Sequence, residues 1–109
     1  MSPRDDDILV WDGPPVDATT GVDLIAAALE TGATTVAVPV ERLDPAFFDL
    51  RSGVAGELVQ KAVNYGLGFA IVGLLPESAT ASSSFMAFVR EANRGTQIRF
   101  VDSVEALGA

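Results

Sequence analysis

Five polar side chains, Asp49, Ser52, Arg90, Glu91 and Asn93, fall in two stretches where acid–base or anion-binding chemistry could be assembled. Asp49 and Ser52 precede a helix start containing Gly53 and Gly56, whose missing side chains would leave backbone amides open to a ligand or partner chain. Arg90, Glu91 and Asn93 follow an apolar helical repeat and could add an anion contact and a carboxylate. Arg90, Glu91 and Arg94 fit equally well as the wet side of an amphipathic helix. The chain has no histidine and no cysteine. General acid–base work would therefore fall to a carboxylate tuned by burial, with Tyr65 as an outside candidate, and thiol chemistry and most zinc sites drop out. No catalytic residue, cofactor or metal is implied. Gly66-Leu67-Gly68 precedes a strand rather than a helix, so it is no dinucleotide loop, and no lysine follows a glycine-rich phosphate cradle.

With 109 residues the chain reads as one domain, 1–109, able to fold on a single core. Its first seven residues form an acidic tail, expected to be disordered, in which Asp5-Asp6-Asp7 is solvated rather than a cation site. Fifteen acidic against seven basic residues give a net charge of −8, which argues against nucleic acid or an anionic membrane as partner. No apolar run approaches the roughly 18 residues of a membrane span, and the N-terminus does not read as a signal sequence. A cytoplasmic location is the resulting expectation.

The elements that must position these residues follow from periodicity. Ile8 to Trp11 reads as a strand stopped by Asp12-Gly13-Pro14-Pro15, and Val16 to Ala18 as the start of a proline-limited edge strand. Thr20-Gly21-Val22-Asp23 resembles a capping box, opening a helix to Gly32 with Val22, Ile25, Ala26 and Leu29 at helical spacing. Thr34 to Val40 is a β-branched strand of the kind buried on both faces. Asp44-Pro45 opens a short turn through Phe48. Asp49 or Ser52 then caps a helix to about Tyr65, with Val54, Ala55, Leu58, Val59 and Ala62 inward and Gly66 as the left-handed stop. The cost of Gly53 and Gly56 within that helix, roughly 1 kcal/mol each, calls for close packing on the sheet or close approach by a ligand. Leu67 to Leu75 is a central strand, and 76–84 a serine-rich loop that would serve as a lid if mobile. One of Ser82, Ser83 or Ser84 caps a helix with Phe85, Phe88, Val89 and Ala92 inward. Gln97 to Val101 is the last strand, followed by a brief helix from Val104 to Leu107. Alternating strands and helices predict an α/β, Rossmann-like fold with a mainly parallel sheet of four to five strands and three to four helices.

The run from Phe47 to Glu57, then Ala70-Ile71-Val72-Gly73, Arg90 to Gly95 and Ile98-Arg99-Phe100-Val101 resemble, in that order, the family called domain of unknown function 4180. The resemblance covers about residues 35 to 107 and implies a bacterial single-domain α/β protein without implying an activity. Two departures stand out: Trp11 to Val16 is compressed where the family continues into a second strand, and Leu74-Leu75-Pro76 replaces a more polar strand exit. More distantly, Asp49 to Gly56 resembles the strand-to-helix turn of STAS domains, the anti-sigma-factor antagonists. That resemblance implies that Ser52 is a phosphoacceptor within a partner-binding surface, although Arg51 and the Phe47-Phe48 approach depart from the usual pattern.

Two functions follow as expectations. One is a protein-interaction or regulatory module acting through Asp49–Gly56, with a protein partner or self-association. The other is an enzyme or small-molecule-binding protein with a polar pocket at the carboxyl edge of the sheet, where Asp49, Ser52, Arg90, Glu91 and Asn93 would converge.

Overall fold

The computed structural model describes residues 8–17 and 19–107; the Asp5 to Asp7 triplet and Ala18 lie outside the described residues. Four strands, β1 (Ile8–Val10), β2 (Thr35–Pro39), β3 (Gly68–Val72) and β4 (Ile98–Val101), form one sheet. Helix α1 (Gly21–Thr31) joins β1 to β2, and α2 (Val54–Asn64) joins β2 to β3. The short α3 (Glu77–Thr80) and then α4 (Ser83–Arg94) lead from β3 to β4. Every neighbouring pair of strands is parallel, and the order in space is the order in sequence. Val36 stands opposite both Leu9 and Phe69, and Ile98 opposite Phe69.

Because each crossover moves one strand further in the same direction, right-handed connections place the crossover helices on one face. The packing agrees. Val36, Val38, Phe69 and Ile71 share a core with Leu24 and Ala28 of α1, Ala55, Leu58 and Ala62 of α2, and Phe85 and Val89 of α4. The alternate residues Ala37 and Ala70 face the other way, where Leu107 of the C-terminal 3₁₀ turn (Val104–Leu107) covers them. The centres of β2 and β3 are thus buried on both faces, as their continuous apolar runs predict. Strand order never reverses, so the sheet has no topological switch point of the kind that places ligands in doubly wound folds.

Four local expectations change. The early edge strand reduces to one bridge between Val16 and Leu43, since Pro14 and Pro15 offer no amide to a ladder. The capping box before α1 does not form: Thr20 makes no side-chain cap, and the Asp17 carboxylate instead accepts from the amides of Thr19 and Thr20, both at 2.8 Å. The Thr20 amide, with help from its hydroxyl and the Thr19 amide and against the effect of burial, holds the Asp17 carboxyl below the ordinary aspartate range. In α1 the inward face is Gly21, Leu24, Ile25 and Ala28, while Val22, Ala26 and Leu29 point outward. Finally, the 76–84 segment is not structureless: Glu77–Thr80 forms a helical turn anchored by the fully buried Ala79.

Strand β4 is an edge, and one side chain closes the outward backbone groups of Phe100. Asn93 Oδ1 accepts from the Phe100 amide at 2.8 Å, and Asn93 Nδ2 donates to the Phe100 carbonyl at 3.3 Å. This protects the edge from pairing with another chain. Among the described residues, no helix is long and apolar enough to cross a membrane.

Candidate functional site

The site begins where β2 ends. Asp44 accepts from the Ala46 amide at 2.8 Å, and Pro45 sits at the first position of a 3₁₀ turn, Pro45–Phe48, that turns Phe47 and Phe48 into the core. Asp49 then repeats the device, accepting from the Arg51 amide at 3.1 Å to open a second turn, Leu50–Ser52. Gly53, at φ +83°, links that turn to α2 in a conformation that side-chain-bearing residues rarely adopt. The Ser52 hydroxyl ties the two turns together, donating to the Ala46 carbonyl at 2.6 Å and accepting from the Val54 amide at 3.2 Å.

The facing wall comes from the chain after β3. Gly73, at φ +119°, turns the chain away from the sheet, Ala79 pins α3, and the Ser82 hydroxyl accepts from the Phe85 amide at 3.1 Å to cap α4. Ser82 is therefore the cap among the three serines. Between the walls lies an open cleft of about 580 Å³ lined by Pro45, Phe48, Asp49, Leu50, Arg51, Ser78, Ser82 and Ser84. Its volume falls in the range of ligand-binding clefts. Its two charged groups offset each other, with Arg51 Nε 3.8 Å from Asp49 Oδ1 and both side chains well exposed. Such a pair contributes little to stability and can be exchanged for a partner's charge.

The amides of Arg51 to Val54 are not on offer. Arg51 N–H donates to the Asp49 carboxylate, Ser52 N–H to the Asp49 carbonyl, Gly53 N–H to the Leu50 carbonyl and Val54 N–H to the Ser52 hydroxyl. The expectation of open amides thus holds only in part: Arg51 to Val54 bond within the turn, while the Ala55 and Gly56 amides in the first turn of α2 have no partner among the described residues. The glycine expectation also divides. A Cβ on Gly53 or Gly56 would meet nothing within 4 Å, so neither packs on the sheet. Gly53 is explained by its φ; nothing among the described residues explains Gly56.

The seven sequence-derived candidates do not converge on one cleft. Asp49 lines it, and Ser52, Gly53 and Gly56 continue from it along the α2 start. Arg90 is exposed on α4, and Glu91 pairs with Arg94 at 3.6 Å beside a separate hollow that includes Val59 and Phe88. Asn93 is the edge clamp described above and borders another hollow, with Leu74 and Asp102. Asp49 and Asn93 therefore serve different places. Missing from the sequence-derived set are Pro45, Phe48, Leu50, Arg51, Ser78, Ser82 and Ser84. Their signal was the serine-rich run after β3 facing the polar turn after β2, two successive loops at the carboxyl ends of adjacent parallel strands. No group of three or more metal-ligating side chains occurs among the described residues.

No curated protein and no solved structure matches the chain. A family model does, over residues 10–109, which include both cleft walls, the Asn93 clamp and all of the sheet from Val10 onward. On that match the chain belongs to the family described as Domain of unknown function (DUF4180).

Proposed function

We propose that the chain is a protein-interaction module that docks a partner across Asp49–Gly56 and the adjoining cleft. The observation that carries this reading is Gly56, a costly and exposed glycine in the first turn of α2 where an added Cβ would meet nothing within 4 Å among the described residues. Close approach from outside would account for it. Beside it, the half-open Leu50, the exchangeable Asp49–Arg51 pair and the three serines supply an apolar anchor and a polar rim, the usual anatomy of a docking surface.

The STAS-like reading adds a regulator. A phosphate on Ser52 would remove the hydroxyl donor to Ala46 and place about −1.5 to −2 charges next to Asp49, opposing an acidic partner and unlatching the two turns. Affinity capture from an extract of the source cells tests this. Ser52→Asp is expected to lose a protein that the wild type and Ser52→Ala both retain. Identical sets on all three would contradict the switch.

A second reading is favoured by the cleft volume and the serine hydroxyls on its wall: a site for a small polar ligand or substrate, with Asp49 and Arg51 as its charged contacts. The same capture separates the two, since a ligand site retains no protein on any variant.

A further inference from the structure

We infer that helix α1 docks a second copy of this chain. Among the described residues, seven large apolar side chains stand exposed, and three of them, Val22, Leu29 and Tyr65, converge on one groove completed by Ile25, Ala26 and Lys61. Val22, Ala26 and Leu29 stand at i, i+4 and i+7, a continuous seam along an 11-residue helix. The seam has two unlike flanks. On the side of Ile25 stand Lys61 and Tyr65 of the α2 end. At 100° per residue, Asp23 and Glu30 fall on the opposite flank, away from the core, and both are exposed.

Lys61 is the groove's cation, and it is unspent: the ion pairs among the described residues are Arg51–Asp49 and Arg94–Glu91, so the Glu57–Lys61 spacing yields no bridge. One patch therefore carries an apolar seam, a free cation and two carboxylates, which is both halves of a charge pair on a single surface. Self-complementarity of this kind is what an isologous twofold contact requires. A twofold axis running along two parallel α1 helices exchanges the flanks, so that Asp23 and Glu30 of each copy meet Lys61 of the other. An axis across them would set Lys61 against Lys61 and carboxylate against carboxylate. In a chain of net charge −8, that second arrangement adds to the general repulsion, and the first offsets it. A contact built on one short helix is small, so the dimer is concentration-dependent. This inference does not rest on the cleft and concerns a different surface.

Sedimentation of the full chain from micromolar to millimolar concentration tests it. The expected mass rises from 11.4 kDa toward twice that value. Leu29→Glu is expected to raise the dissociation constant roughly 10- to 100-fold, the scale of one lost apolar side chain. Val22→Ser serves as a milder change on the same seam, and circular dichroism reports the fold of each variant. Lys61→Glu weakens the dimer, and combining it with Asp23→Lys and Glu30→Lys restores it. A monomer at every concentration, a dimer indifferent to both seam variants, or a charge exchange that fails to restore association would overturn the proposal.

Discussion

Phe85→Ala is expected to destabilise the chain by about 3–5 kcal/mol, the range for removing a fully buried aromatic ring. Phe85 is wholly buried near the start of α4, with ring centroids 6.2 Å from Phe47, 5.6 Å from Phe48, 5.7 Å from Phe88 and 6.0 Å from Phe100. Three of these four contacts are edge-to-face, and each such pair adds roughly 0.5–1.5 kcal/mol beyond its buried area. The ring joins the turn after β2, the helix after β3 and the edge strand β4, so a void there loosens three connections together. It also sits beneath the cleft, because the Phe85 amide is the group that Ser82 caps. Domains of this size are stable by only about 5–15 kcal/mol, so the variant should unfold at markedly lower urea. A loss below about 1 kcal/mol would mean that the aromatic cluster is not the keystone of the core.

Gly21→Ile should cost about 1–3 kcal/mol by overpacking. Gly21 is buried at the first position of α1, and a Cβ there would collide with Cδ2 of Leu58, itself buried in α2. The terminal methyl can turn into the hollow of about 10 Å³ that Gly21, Leu24 and Leu58 line, but that space is too small to take a branched side chain as well. Gly56→Ala is the counter-experiment and should stabilise by roughly 0.5 kcal/mol, since that position is open and helical. Two glycines in two helices, read by urea unfolding, should thus give opposite signs. The same sign at both would show that helix-to-helix packing at Gly21 is looser than described.

Particular residues show where the sequence was legible and where it was not. The runs around Val36 to Val38 and Phe69 to Ile71 announced two central strands because nothing but a doubly covered strand needs so many apolar residues in succession. Gly66 likewise announced the end of α2 and adopts φ +68°. Helix α1 misled because it is apolar on two adjoining faces, so Val22, Ala26 and Leu29 fit a helical stripe as well as Leu24, Ile25 and Ala28 do. Which stripe meets the sheet is decided by how the chain leaves Asp17, not by spacing. Asn93 read as a site candidate because a polar side chain on a wet helix face carries no mark of its partner; its role depends on β4 being an edge, a fact of strand order. Ser82 and Ser84 read only as capping residues for the same reason, as their nearness to Asp49 exists only once β2 and β3 lie side by side.

The central claim is that a partner lies across the Asp49–Gly56 turn. It is tested most directly by placing a photo-crosslinking aromatic residue at Leu50, on the cleft wall, and separately at Glu91, on the α4 surface lining a different hollow. After irradiation in the source cells, the expected result is a discrete adduct to a second protein from position 50 and none from position 91. An adduct from position 91 alone, or the same adduct from both, would contradict it.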